Sequence, residues 1–227
     1  MTIEQNVRNL QQRIARACEK AGRSPDEVTL VAVTKTVDVS AIEAAFNAGV
    51  RDFGESRVQE AKPKIEQLQR LKPGITWHML GHLQTNKAKT AADIFDIIHS
   101  VDSFKLARTL NDCSQKKLPI LIQVNVSAEA TKSGFQLPEV KDAVKQIGKL
   151  PNLEIQGLMT IAPWVSNAEE VRPVLRQMRQ LRDALGLRHL SMGMSDDFEV
   201  AIEEGATLVR IGRAIFGERS RIWEWKR

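Results

Sequence analysis

Val28-Thr29-Leu30-Val31-Ala32-Val33-Thr34-Lys35 is a nearly all-apolar, β-branched run that ends on a lone lysine and passes into Thr36-Val37-Asp38. A run of this length and composition reads as a strand buried on both faces, as in parallel sheets. In such sheets the chemistry gathers at the carboxyl ends of the strands, and Lys35 falls at one. The fold class turns on how many similar runs follow.

Working outward, candidate strands are Thr29–Thr34, Asp52–Gly54, Thr76–Gly81, Ile94–Ser100, Ile120–Val126, Ile155–Thr160, Leu190–Met194 and Leu208–Gly212. Amphipathic stretches fall between them: Val39–Asn47, Ser56–Leu71, Thr85–Ala92, Ser103–Ser114, Pro138–Leu150, Ala168–Leu185 and Asp196–Glu204. Ile3, Val7, Leu10 and Ile14 add a helix before the first strand. Eight strands alternating with helices predict a single α/β domain, a closed (β/α)8 TIM-type barrel with an extra N-terminal helix. A doubly wound open sheet competes, but it usually has fewer strands. No linker, composition break or internal repeat divides the chain, so residues 1–227 read as one domain. Trp223 and Trp225 fit either a closing turn or a free end.

Composition excludes several classes. The 227 residues carry a net charge of +5, with the basic residues scattered rather than gathered in tracts, which argues against nucleic acid. Cys18 and Cys113 are too few for a disulfide framework or a zinc site, so the expected setting is the reducing cytoplasm with no metal. The N-terminal stretch lacks a continuous apolar core and reads as neither signal peptide nor membrane span. The chain contains no tyrosine.

Barrel closure would make the first and last strands neighbours. Lys35 should then lie near Ser191-Met192-Gly193-Met194-Ser195 and Arg210-Ile211-Gly212-Arg213. Loops after the seventh and eighth strands of such barrels frequently bind phosphate through backbone N–H groups and a helix N-terminus. A lysine amine, an arginine and a phosphate cradle together suggest a phosphorylated aldehyde held as an imine. Singly, each residue has an ordinary role: Ser195-Asp196-Asp197 is a good helix start, Gly193 and Gly212 suit close packing, and a lysine ending a strand is usually solvated.

The segment Trp77-His78-Met79-Leu80-Gly81-His82-Leu83-Gln84-Thr85-Asn86-Lys87 resembles a signature of the pyridoxal phosphate homeostasis protein family. So do Val33-Thr34-Lys35-Thr36, Phe53-Gly54-Glu55 with Gln59-Glu60, and Gly157-Leu158-Met159-Thr160. His189 to Asp196 and Val209 to Gly217 continue the resemblance toward the end of the chain. It implies a barrel similar to the N-terminal domain of alanine racemase, holding pyridoxal 5′-phosphate (PLP). The family's Schiff-base lysine falls on Lys35, its phosphate cradle on Ser195 and the backbone of Gly212 and Arg213, and its pyridine-nitrogen partner on Arg210.

Two departures stand out. Relatives often have Asn-Tyr where this chain has Ser56-Arg57, and many carry a second lysine where it has Val37. The expectation is a monomeric PLP binder in vitamin B6 and amino-acid/keto-acid homeostasis, without established turnover. Its partners are PLP and either apo-enzymes that need it or a regulatory protein. The enzyme alternative is a low-activity PLP-dependent racemase. Two-base racemisation needs a tyrosine opposite the lysine, and 227 residues leave no room for the racemase's second domain. A Schiff-base aldolase would want an acid/base pair near Lys35, and none stands out. His78, His82 and His99 read as structural, Asn86-Lys87-Ala88-Lys89 as a solvated helix start, and Lys132 as a loop lysine. Met159 and Met194 suit either a ring pocket or the core.

Overall fold

The apolar runs form strands because β-branched side chains suit a pleated surface packed on both sides. The computed structural model describes residues 1–127 and 133–217; Lys132, Trp223 and Trp225 lie outside the described residues. In chain order the strands are β1 (Thr29–Val33), β2 (Asp52–Glu55), β3 (Thr76–Met79), β4 (Ile97–Val101), β5 (Leu118–Asn125), β6 (Phe135–Gln136), β7 (Leu153–Met159), β8 (His189–Ser191) and β9 (Leu208–Ile211). The α-helices are α1 (Ile3–Lys20), α2 (Val39–Asn47), α3 (Val58–Gln67), α4 (Ala88–Ile94), α5 (Phe104–Cys113), α6 (Val140–Ile147), α7 (Arg172–Ala184), α8 (Phe198–Glu203) and α9 (Arg213–Phe216).

The sheet order β4-β3-β2-β1-β9-β8-β7-β5, with β4 also pairing β5, closes eight parallel strands into a ring. The expected TIM-type barrel and its N-terminal helix are both present. The two-residue β6, which pairs only with β5, was not foreseen.

Alternation along the strands divides the core in two. Outward residues such as Phe53, Trp77, Ile98, Ile120, Leu158 and Val209 pack beneath the helices. Val31, Leu80, Ile97, Leu121, Met159 and Leu208 meet one another inside the ring. Met159 is therefore core, whereas Met194 is exposed.

Three sequence boundaries shift for local reasons. The strand expected to reach Met194 stops at Ser191, because Gly193 turns the chain with φ +92°. Ile94 ends α4 rather than starting a strand. The helix expected over Ser56–Leu71 starts at Val58 and gives way to a 3-10 segment, Gln69–Gly74.

Helix ends follow capping chemistry. Thr2 and Gln5 form a reciprocal capping box on α1. The Ser103 side chain accepts from Leu106 N–H at 3.3 Å and starts α5. Ser103→Ala is expected to lower unfolding stability by about 1 kcal/mol, read from urea denaturation.

The buried stripe of α1 is Val7, Leu10, Ile14, Ala17 and Cys18, and α1 packs against α2, α8 and α9, the helices that follow β1, β8 and β9. Asn6 donates to the Ile215 carbonyl at 2.8 Å, and Arg13 pairs with Glu199 at 3.0 Å. Just beyond α1, Arg23 donates to the carbonyls of Ile202 and Ala206 at 2.8 and 2.9 Å. Among the described residues no helix is long and apolar enough to cross a membrane.

Candidate functional site

β1 and β9 pair in parallel with Val31 opposite Arg210 and Ala32 opposite Ile211. That register brings the end of β1, with Lys35 two residues beyond it, alongside Gly212. A Cβ placed on Gly212 would lie 3.4 Å from the Val33 carbonyl oxygen. The convergence expected from barrel closure is present.

The half-buried Lys35 is set by a clamp on its backbone. Thr36 has φ +62°, unusual for a β-branched residue. Its N–H donates to the Glu60 carboxylate, and Val37 N–H donates to the Thr34 carbonyl at 3.0 Å. The ammonium of Lys64 donates to the Thr34 carbonyl at 2.7 Å, to Glu55 at 2.9 Å and to Glu60 at 2.7 Å. These bonds use all three of its donors. Glu55 also accepts from the Thr34 hydroxyl at 2.7 Å. Burial pushes the Glu55 carboxyl above its ordinary pKa, opposed by its bonds to Lys64 and Thr34. Its second oxygen, Oε2, is buried without a hydrogen-bond partner. Val37 packs against the core.

The other side of the junction is built after β8 and β9. Gly193 accepts from Arg210 N–H at 3.0 Å, and a Cβ on it would lie 2.6 Å from the Ala201 Cβ. The half-buried Ser195 lies on the turn that follows. Ser195 does not start the next helix, correcting the reading of it as a cap. Asp197 occupies the cap position of α8, and its Oδ1 accepts from Met194 N–H at 2.6 Å. Both acids beside Ser195 are engaged. Asp196 pairs with Arg213, and burial pushes the Asp197 carboxyl above its ordinary pKa. Gly212 occupies the cap position of α9, so the N–H groups of Arg213 and Ala214 find no acceptor within that helix.

Arg210 supplies a buried cation at 6% exposure. It donates to Ser191 Oγ at 2.7 Å and to the Thr160 carbonyl at 2.8 Å. Burial pushes its pKa down to about 10, opposed by the Asp197 charge, so it stays charged at neutral pH. The donor set suits a phosphorylated, electron-poor aromatic aldehyde: glycine-lined N–H groups, a hydroxyl, a buried guanidinium and a lysine within one neighbourhood. His82, by contrast, sits exposed on the rim, 2.8 Å from Asp102.

Residues 3–220 match the family model described as alanine racemase, N-terminal domain. A pyridoxal phosphate homeostasis protein of Aquifex aeolicus (strain VF5) is 45% identical over 217 residues, covering 92% of this chain and 94% of that one. The chain belongs to the pyridoxal phosphate homeostasis protein family. Among solved structures, PipY of Synechococcus elongatus PCC7942, described with PLP bound, superposes with a TM-score of 0.83. It is 36% identical, covering 95% of this chain and 100% of PipY. An alanine racemase of Clostridium difficile 630 shares the fold at a TM-score of 0.71 and 14% identity, covering 95% of this chain and 57% of that one.

Within this homeostasis-family site, the sequence reading missed the Glu55–Lys64–Glu60 clamp and the polar residues inside the barrel. The i,i+4 spacing of Glu60 and Lys64 on α3 was a signal for part of the clamp.

Proposed function

We propose that this protein binds PLP at the β1/β9 junction and acts in vitamin B6 and amino-acid/keto-acid homeostasis by holding the cofactor rather than turning over a substrate. The observation that carries this reading is the juxtaposition of Lys35 with the Gly212–Arg213 helix start and the buried Arg210. When bound, PLP supplies an aldehyde for a lysine amine and an electron-withdrawing ring. Lys35 is the residue that bonds the aldehyde, with its backbone fixed by the Thr36 turn and by Lys64. Ser195 and the backbone of Gly212 and Arg213 hold the phosphate, and the Arg213–Asp196 pair keeps the neighbourhood free of net negative charge. Arg210 occupies the pyridine-nitrogen position. As a group that only donates, it keeps that nitrogen unprotonated and so weakens the ring as an electron sink.

The absence of tyrosine removes the residue that racemisation would use opposite the lysine. Holding, rather than reacting, is the role that these groups favour. Cys18 and Cys113 are both free, which fits a reducing cytoplasm. In this reading the monomer passes PLP to apo-enzymes or reports it to a regulatory protein.

Purified protein loaded with PLP should become irreversibly labelled on borohydride reduction, with the label mapped by mass spectrometry to the peptide containing Lys35. A label on another lysine, or retention of the bound-cofactor spectrum by Lys35→Ala, would overturn the assignment. Loss of optical activity from single-enantiomer amino acids on incubation with loaded protein would overturn the holding role.

A further inference from the structure

The barrel interior holds a second set of polar groups, none of them adjacent to Lys35 in sequence. Asp52 starts β2, at the end of the barrel opposite the site. Its Oδ1 lies 3.0 Å from His78 Nε2, and His78 Nδ1 lies 2.8 Å from His99 Nε2. His99 Nδ1 lies 3.0 Å from Ser191 Oγ, which accepts from Arg210. His99 belongs to β4 and Ser191 to β8, strands separated by β5 and β7 in the ring, so this link crosses the lumen.

The carboxylate end fixes the direction of the chain. A guanidinium can only donate, and an ionised carboxylate can only accept. With both rings neutral, His78 faces the Asp52 carboxylate with its Nε2 proton, which leaves its Nδ1 to accept. His99 must then carry its proton on Nε2 and donate to His78 Nδ1. That leaves His99 Nδ1 as an acceptor, and the Ser191 hydroxyl, accepting from Arg210 on one lone pair, donates its O–H to it. Every link has one proton, and with neutral rings reversing any one of them sets two acceptors face to face further along the chain.

We propose that Asp52, His78, His99 and Ser191 form a directional hydrogen-bond wire, through which Asp52 sets both histidine tautomers and presents the Ser191 oxygen to Arg210. The four are positioning residues. Burial, with the nearby Arg210 charge, holds His99 well below the usual imidazole pKa, consistent with a neutral ring. Arg188 and Arg182, which act on His189 at the start of β8, and Asp197, which acts on Arg210, also bear on the wire. The consequence for PLP rests on the proposed function, because Arg210 reaches the cofactor only in that reading. The wire itself does not.

The first test uses protein without cofactor. Long-range proton–nitrogen NMR of histidine-labelled protein should show His78 and His99 neutral, with the proton on Nε2 in each. Asp52→Asn is nearly isosteric and is bonded to His78 alone among the wire residues, yet its amide can donate as well as accept. It should introduce the Nδ1–H form at His99, a residue that Asp52 does not touch. An imidazolium or an Nδ1–H form at either histidine in the wild type, or an unchanged His99 in Asp52→Asn, would overturn the wire.

The second test follows PLP release from loaded protein into an excess of apo-acceptor enzyme. Ser191→Ala and Asp52→Asn should each speed release by about 2- to 10-fold, the equivalent of one hydrogen bond, while Ser191→Thr keeps the wild-type rate. Wild-type release from Ser191→Ala would overturn the link to Arg210. If borohydride fails to label Lys35 while the tautomers behave as stated, the proposed function falls and the wire stands. If Lys35 is labelled but the tautomers are wrong, the wire falls alone.

Discussion

Lys64→Met is expected to destabilise the protein by about 3–5 kcal/mol, the range for removing one partner of a buried ion pair. Glu55 is fully buried and the Lys64 side chain is 12% exposed, so solvent cannot replace the lost ammonium. Methionine fills most of the lysine stem's volume, which leaves an uncompensated carboxylate rather than a cavity. Adding Glu55→Gln should recover more than half of the loss, because the double variant buries an amide in place of an orphaned charge.

The deficit should also depend on pH in a definite direction. The folded-state pKa of Glu55 lies above its unfolded value. Between the ordinary glutamate pKa of about 4.3 and that raised value, the folded protein takes up a proton that the unfolded chain does not. The group therefore penalises stability above its folded pKa, and the penalty is relieved as pH falls toward the unfolded value. Without Lys64 the folded pKa rises further, so the Lys64→Met deficit should be smaller at pH 5 than at pH 8 in urea denaturation. A loss below about 1 kcal/mol at pH 8, the size of a surface pair, would sink this account. Because Lys64 also holds the Thr34 carbonyl, labelling at Lys35 should fall in the same variant.

Gly157→Val is expected to leave little or no folded protein, a loss of about 4 kcal/mol or more. A Cβ at position 157 would lie 2.0 Å from the His189 carbonyl oxygen and 2.6 Å from its carbon. Gly157 pairs with His189 on one side and with Leu121 on the other, where the β5/β7 register shifts. The obstacle is backbone in a closed ring, so no side-chain rotation relieves it. Soluble yield and the cooperativity of thermal unfolding are the measurements. A variant that melts cooperatively within a few degrees of the wild type would show that the ring can open at β7/β8.

The barrel and the place of Lys35 were legible because β-branched runs mark strands, and eight of them impose closure. Once β1 and β9 are neighbours, Lys35, Arg210 and Gly212 converge without further information. The start of α8 was not legible from Ser195-Asp196-Asp197, since any of the three suits a cap. Asp197 takes the position because its carboxylate turns back onto Met194 N–H. The interior chain from Asp52 to Arg210 was hidden for another reason. Alternation shows that His78 and His99 could face inward, but only the stagger of strands around the ring places His99 against Ser191 on the far side. Glu55 stood in a motif quoted for its resemblance, and its partner Lys64 lies on the following helix with no shared pattern.

The junction that α1 buttresses joins the first strand of the ring to the last. Pairing between β1 and β9 is the longest-range strand contact in the barrel, of the kind that chains acquire slowly. A ligand gripping Lys35 on one side and the Gly212–Arg213 backbone on the other binds only a ring that has closed. By mass action it stabilises that state by RT ln(1 + [L]/Kd). With the cofactor held as proposed, its occupancy doubles as a gauge of ring closure: molecules with a slipped β9 would stay empty.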